Sequence, residues 1–342
     1  MKVTKKAIGT LNKCYACGIY EYDGAGHLIV AAEKQDPCYA YDLDGNFCDT
    51  LWTGPGGVMT LLQDPVSGAL LATQKFYSPN DSASAKIVYY TREKDGWDCH
   101  VLCDLPFVHR FGIIQNSEKR YLVACTLKSA HAFKNDWTCP GRIWVGELDD
   151  VTAYSQEHQL PMTALESGLY KNHGFAVHEK ADGSTFAVVG TENGVYQVEI
   201  SAENRPVSTK LLDTPASDVL YLDFDGDGER ELLVLSPFHG DTVSIYHKAA
   251  DGFEKVWERE EKMPFIHAIY AGEVGGKTVA FVGNREGKKE LVMISFADGY
   301  RTELIDQGAG AANCLFLRKD GKNLLLAANR ESNEIALYEI GD

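Results

Sequence analysis

Short runs of apolar residues bounded by turn residues recur along the whole chain. Runs this short, apolar on both faces, predict central strands of stacked β-sheets. A second set of runs, rich in Tyr, Val and Ile, follows the first and predicts the neighbouring strands. The first set is 27–32, 69–73, 121–125, 186–190, 231–235, 279–283 and 324–328, and the second is 38–42, 86–90, 142–146, 194–198, 242–246, 290–294 and 334–338. No segment keeps a helical period, so the pattern predicts an all-β chain.

The spacing of these runs indicates a repeat. Seven units in 342 residues have a mean length of about 49 residues, the size of a four-stranded propeller blade. We therefore predict one domain over residues 1–342, a seven-bladed β-propeller of four-stranded blades. The expected blades are approximately 15–54, 55–105, 106–169, 170–214, 215–263, 264–308, and 309–342 together with 1–12.

The two ends of the chain predict how the ring closes. The seventh unit reaches position 342 after only three strands. Residues 5–11 resemble the fourth strands at 209–212 and 302–305. We expect this N-terminal strand to complete the last blade, which leaves no open sheet edge.

Composition excludes several classes of protein. The chain is 44% hydrophobic and 24% charged, which is typical of a globular protein, and its formal net charge is −16. Such a charge repels nucleic-acid phosphates and anionic lipids, so we expect neither nucleic acid nor membrane as a partner. No apolar run approaches the roughly 18 residues of a membrane span. The nine scattered cysteines, without an export signal, favour reduced thiols and a cytoplasmic location.

One acidic loop, residues 223–231, has the spacing of a cation site. Carboxylates at alternating positions converge on one centre, and a glycine permits the tight turn, as Ca²⁺ coordination by oxygen requires. A solvated acidic hairpin loop is the alternative. The predicted ligands are Asp223, Asp225, Asp227, Glu229 and Glu231. The motif resembles the FG-GAP or VCBS repeat of propeller proteins, and this resemblance implies that the Ca²⁺ is structural.

Several histidines fall at one register when the units are aligned. His109, His173 and His267 begin inner strands, and His239 lies in a loop that returns to the same mouth of the channel. Neutral imidazoles with open coordination positions suit Zn²⁺ or another borderline divalent metal. The alternative is that each histidine is a hydrogen-bonded structural residue.

Other candidate binding residues lie in loops at the same mouth. Long loops on one face of a rigid scaffold often carry binding residues, and an aromatic side chain suits stacking on a sugar ring. Charged loop tips that are only solvated are the alternative. The candidates for substrate binding are Lys75, Trp137, Asn172 and Arg330.

The phrases 105–110, 171–174, 236–241 and 264–269 resemble the propeller domain of aldos-2-ulose dehydratase, although the cupin domains of that enzyme have no counterpart here. The resemblance implies a metal-dependent lyase that removes water from a keto-sugar or an anhydro-sugar. His109, His173 and His267 would bind the metal, and His239 would be a fourth ligand or a proton carrier. Asp241 would orient His239, and Lys128 or Arg285 would stabilise an enolate.

Two further functions stay open at this point. Residues 327–338 resemble the closing strands of seven-bladed lactonases, which hydrolyse sugar lactones. A non-catalytic propeller that binds a glycan or a protein on its loop face is the other alternative, because propellers host all three functions.

Overall fold

The computed structural model describes residues 1–94 and 96–341. Apart from the 3-10 turn Val151–Ala153, the regular secondary structure of these residues is all β-strand, and the strands make seven four-stranded antiparallel sheets. The innermost strand of each sheet contacts its neighbours around a central axis. The predicted all-β, seven-bladed architecture is confirmed.

The first six blades take consecutive strands, numbered from the innermost strand outwards. Blade one contains β2 (Cys14–Tyr22), β3 (Ala25–Ala32), β4 (Cys38–Asp42) and β5 (Phe47–Trp52); blade two β6 (Leu61–Gln63), β7 (Leu70–Gln74), β8 (Lys86–Glu93) and β9 (Gly96–Asp104); and blade three β10 (Val108–Gln115), β11 (Arg120–Lys128), β12 (Pro140–Glu147) and β13 (Thr163–Leu169). Blade four contains β14 (Gly174–Glu179), β15 (Thr185–Thr191), β16 (Gly194–Ile200) and β17 (Pro206–Leu212); blade five β18 (Asp218–Leu222), β19 (Glu231–Ser236), β20 (Thr242–Ala249) and β21 (Gly252–Glu258); and blade six β22 (Ile266–Val274), β23 (Lys277–Asn284), β24 (Leu291–Phe296) and β25 (Tyr300–Asp306).

The last blade joins the two ends of the chain. Its strands are β26 (Asn313–Lys319), β27 (Lys322–Asn329), β28 (Glu334–Ile340) and, outermost, β1 (Val3–Thr10). β1 runs antiparallel to β28, with Val3 opposite Ile340 and Thr10 opposite Glu334. The predicted closure by the N-terminal strand is therefore confirmed.

The apolar runs of the sequence occupy the middle of each sheet. β15, for example, is buried from Phe186 to Thr191, because the sheets of adjacent blades pack on both of its faces. All nine cysteines are unpaired. Within the described residues, no helix is long and apolar enough to cross a membrane.

The direction of the strands positions the site. Inner strands begin at one mouth of the channel, and the loops between second and third strands return to that mouth. The loops between first and second strands lie at the opposite mouth. The segment that carries His239 belongs to the first group, and the acidic loop 223–231 belongs to the second.

Candidate functional site

Three of the four predicted histidines form a compact cluster on the axis. Ring nitrogens of His173, His239 and His267 all lie within 4.8 Å of one another. His173 and His267 are buried, and His239 is half-buried. The structure thus brings together residues from blades four, five and six.

Local irregularities of the backbone place the residues that begin inner strands. Tyr15, His109 and His267 each lie at a register shift of the inner strand against the second strand, which is the signature of a β-bulge. Bulges re-aim side chains and are frequent at functional sites. The residue two positions before each of these three, and before His173, has a left-handed backbone conformation. These residues are Lys13 (φ 52°), Phe107 (φ 65°), Lys171 (φ 47°) and Phe265 (φ 58°).

Hydrogen bonds set the tautomers of two histidines. Nδ1 of His173 lies 2.9 Å from the carbonyl oxygen of Ser217, and Nδ1 of His267 lies 2.7 Å from that of Ala312. A carbonyl can only accept, so both Nδ1 atoms carry the proton and both Nε2 atoms keep a lone pair. Histidines that bind metals show this arrangement. Among the described atoms, Nε2 of His173 and Nε2 of His239 are buried without a hydrogen-bond partner.

His109 stands beside the cluster rather than within it. Its Nε2 lies 3.4 Å from the hydroxyl oxygen of Tyr15, and that hydroxyl lies 2.9 Å from Nε2 of His267. Because Nε2 of His267 has no proton, the Tyr15 hydroxyl donates to it. Tyr15 was not among the site residues predicted from the sequence, although residues 13–16 align with 107–110 and 265–268. Burial raises the pKa of Tyr15 to about 12.

The clustered histidines are neutral. Burial, followed by the charges of Arg285 and Lys171, lowers the pKa of His239 to about 3. Burial is also the main reason that the pKa values of His173 and His267 lie well below the ordinary value. Neutral imidazoles are the form that binds a metal, so protons do not compete for these nitrogens near neutral pH.

Aromatic rings surround His239. The Phe238 ring stacks on it with centroids 3.9 Å apart, and the Phe265 centroid lies 4.3 Å away. Trp137 meets the edge of Phe238 at 5.6 Å. Trp137, which was predicted to stack on a sugar ring, therefore belongs to an aromatic wall formed by Trp137, Phe238 and Phe265 beside the histidine cluster.

Lys128 has a different environment from the one expected. Its side chain is completely buried, its amine donates to the backbone carbonyl of Asp136 at 2.8 Å, and it lies 4.3 Å from the centroid of the Trp137 ring. Burial lowers its pKa. An amine held in this way supports Trp137 and is not free to stabilise an enolate.

Asp241 also points away from its predicted partner. Its carboxylate accepts a hydrogen bond from the Thr242 hydroxyl at 2.9 Å and lies 4.0 Å from the Lys262 amine. The carboxylate is half exposed, so water and these two groups satisfy it. The predicted orientation of His239 by Asp241 has no support in these contacts.

The predicted arginines of the mouth are paired with acidic residues. Arg285 binds a carboxylate oxygen of Glu331 at 2.8 Å, and Arg330 binds Glu331 at 2.6 Å as well as Glu33. The Arg285 guanidinium also lies 4.5 Å from the centroid of the Phe265 ring. These pairs make the mouth less positive than its count of basic residues suggests.

The two remaining candidates for substrate binding have mainly local roles. Asn172 is fully buried and donates to the backbone carbonyl of Arg142 at 2.8 Å. Lys75 is half-buried, has a φ of 63°, and binds Gly56 through its backbone amide.

A layer of hydrogen bonds links four blades around the axis. Arg110 donates to the carbonyl oxygen of Met59 at 2.7 Å and to the side-chain oxygen of Asn313 at 2.9 Å. Asn313 in turn donates to the carbonyl oxygen of Tyr15 at 2.9 Å. These bonds fix the strands that carry Tyr15 and His109.

The acidic loop divides into two groups of oxygen atoms. Carboxylates of Asp223, Asp225 and Asp227 lie within 4.8 Å of one another, as the spacing predicts. Asp223 also accepts hydrogen bonds from two glycine amides of the turn. Glu229, also a predicted ligand, instead forms an ion pair with Lys248, whose amine lies 3.3 Å from its carboxylate.

Glu231 faces inwards and meets a histidine that the sequence did not single out. One carboxylate oxygen accepts from the Phe224 amide at 2.8 Å, and the other lies 3.1 Å from Nδ1 of His247. Asp225, Glu231 and His247 form a second group within 4.8 Å. Burial raises the pKa of Glu231.

The opposite mouth of the channel contains a cavity of about 590 Å³. Phe111, Phe175 and Ile269 line it, and each stands two residues after a histidine of the inner-strand register. His178 also lines the cavity, and its Nε2 accepts a hydrogen bond from the Tyr221 amide at 3.2 Å.

His178 makes stability depend on pH. Burial, with a smaller effect of Arg230, lowers its pKa to about 3. The unfolded chain then binds the proton more tightly than the folded chain, so stability is full above about pH 6.5 and falls as the pH falls. We expect His178→Gln to reduce the loss of unfolding free energy between pH 7 and pH 5 by about 2 kcal/mol. Urea titrations at both pH values measure it, and an unchanged difference would contradict this assignment.

Comparisons with known proteins identify the fold and no family. No protein-family model matches the chain, and no curated protein matches it. Solved structures do match, over nearly its whole length. The chain is a seven-bladed β-propeller.

The similar structures come from different kinds of protein. Virginiamycin B lyase from Staphylococcus aureus has 14% identity and a TM-score of 0.59, with 99% of each chain covered. The propeller domain of Cps50 (Swd1) from Myceliophteria thermophila has 13% identity and a TM-score of 0.60, with 98% of this chain and 100% of that one covered. An auxiliary nutrient binding protein from Bacteroides thetaiotaomicron has 12% identity and a TM-score of 0.56, with 96% of this chain and 69% of that one covered.

Proposed function

We propose that this propeller is a metal-dependent lyase that removes water from a keto-sugar or an anhydro-sugar at the mouth of its axial channel. The observation that carries the proposal is the convergence of ring nitrogens from His173, His239 and His267 within 4.8 Å. The buried Nε2 atoms of His173 and His239 lack partners among the described atoms, which fits a ligand set for Zn²⁺ or a similar metal. A bound divalent metal would polarise the carbonyl of the substrate as a Lewis acid.

The residues around the cluster supply the rest of the site. The half-buried wall of Trp137, Phe238 and Phe265 would give a sugar ring aromatic surface to pack against. Tyr15 presents a hydroxyl at the cluster, and the closely packed Phe76 ring, 5.0 Å from His109, helps to exclude water. Arg285, which is paired with Glu331, lies beside the Phe265 ring and would add positive charge near an oxygen that becomes negative.

Ca²⁺ in the acidic loop is the second part of the proposal. Asp223, Asp225 and Asp227 would hold it at the mouth opposite the histidines, so its role would be to brace the hairpin between β18 and β19. A structural ion there is compatible with each of the alternatives, the lactonase and the binding propeller, and does not choose between them.

Product analysis tests the lyase. We expect the protein, supplied with 1,5-anhydrofructose and Zn²⁺ or Mn²⁺, to form an enone that absorbs in the ultraviolet, with the rate lost after chelation and restored by metal. His267→Ala should lower the rate at least about 100-fold, while His158→Ala, at an exposed position, should leave it unchanged. A carboxylate product from a lactone would indicate a hydrolase. Sugar binding without turnover would favour a binding propeller.

A further inference from the structure

The cavity at the mouth opposite the histidines is unlike the rest of the surface. The chain carries a net charge of −16, yet the described residues that line this cavity include no Lys, Arg, Asp or Glu. Most of them are aliphatic or aromatic. Its volume of about 590 Å³ lies within the range of pockets that bind small molecules.

Two large apolar side chains that line this cavity are exposed to solvent. Val177 is 40% exposed and Tyr270 is 36% exposed, and both lie on inner strands of the propeller. Burying these side chains under a ligand would be favourable, because it removes apolar surface from water. Exposed apolar surface gathered in a concavity is a common mark of a binding site.

Close packing of the backbone keeps the cavity open. A Cβ atom added to Gly112 would lie 2.6 Å from a ring carbon of Phe175 and 2.8 Å from a methyl carbon of Val177. The bare glycine lets these side chains lie against β10 instead of being pushed into the cavity. The concavity is therefore a product of the packing between blades three and four.

A few polar groups converge on this apolar surface. His178 uses Nε2 to accept from the Tyr221 amide, so its proton is on Nδ1, which is left as a donor. The Thr185 hydroxyl oxygen accepts from the backbone N–H of Gln115 at 2.8 Å, and the hydroxyl retains its own proton to donate. The His178 and Thr185 side chains both line the cavity, so each can offer a neutral donor to a ligand.

We propose that this cavity is a second binding site, for a small uncharged molecule with a flat apolar body and a carbonyl or similar acceptor that faces His178. A charged ligand would find no opposite charge among the described lining residues, and a purely apolar one would leave the donor of His178 unused. The site is separate from the histidine cluster, and its ligand need not be the substrate of the proposed lyase.

The fluorescent ketone prodan, a neutral naphthalene with a propionyl group, is a suitable probe. We expect saturable binding with one site per chain and a blue-shifted emission. Val177→Arg should weaken binding at least about tenfold, because it places an unpaired charge in the cavity. The matched control Val256→Arg, at a 52% exposed position on β21, should change it less than twofold.

A comparison of two probes isolates the donor. His178→Phe should weaken the binding of prodan about fivefold, which corresponds to the loss of one hydrogen bond. The same substitution should change the affinity for 2-dimethylaminonaphthalene, which has no carbonyl, less than twofold. His239→Ala should affect neither probe, which separates this site from the proposed lyase. Non-saturable binding, or equal affinity in Val177→Arg, would overturn the proposal of a site. An equal effect of His178→Phe on both probes would overturn the role of His178.

Discussion

Deletion of residues 1–12 should lower the free energy of unfolding by about 5 kcal/mol or more, which is comparable to the whole stability of many domains. β1 is the outer strand of the last blade, and without it β28 becomes an open edge. Leu11, which is buried, would be lost from the core at the same time. Thermal unfolding and urea titration of the truncated chain measure the effect.

The control for this truncation is a shorter one. Removal of Met1 and Lys2, which are exposed and lie outside β1, should cost less than about 1 kcal/mol. If the protein without residues 1–12 unfolded at the same temperature as the full chain, the stability of the ring would not depend on this closure.

Replacement of His239 should remove tight metal binding, and replacement of His109 should not. His239 contributes one of the three nitrogens that lie within 4.8 Å of one another, whereas His109 is not a member of that group. We expect His239→Ala to weaken Zn²⁺ binding at least about 100-fold and His109→Ala to weaken it less than about tenfold, the lower end of the effect of outer residues. Competition titrations against a chromophoric chelator measure both constants. Equal losses in the two variants would show that His109 is also a ligand.

The fold was predictable because its pattern is repeated and physically simple. Each central strand is buried on both faces, so runs such as 186–190 and 324–328 stand out from the turns around them. The closing strand was predictable from the missing fourth strand of the last unit. Both predictions depend on backbone pairing, which tolerates many side chains.

The site was predictable only in part, because the directions of side chains depend on contacts between distant segments. The shared register of the inner strands predicted that His173 and His267 lie at the site. The loop that returns to the same mouth predicted it for His239. Nothing local shows that the Lys128 amine lies against Trp137, nine residues away, since the long loop must first fold back. Tyr15 carried a usable signal, because it occupies the position that the histidines occupy in blades three and six.

Metal content tests the central claim most directly. We expect the protein, purified without added metals and without chelator, to contain close to one equivalent of a transition metal per chain by elemental analysis. His173→Ala and His239→Ala should lose this metal, and His158→Ala should retain it, while any Ca²⁺ stays the same in all four proteins. A wild-type protein that contains Ca²⁺ alone, and that takes up no Zn²⁺ or Mn²⁺ when these are added, would contradict the metal site at the histidine cluster.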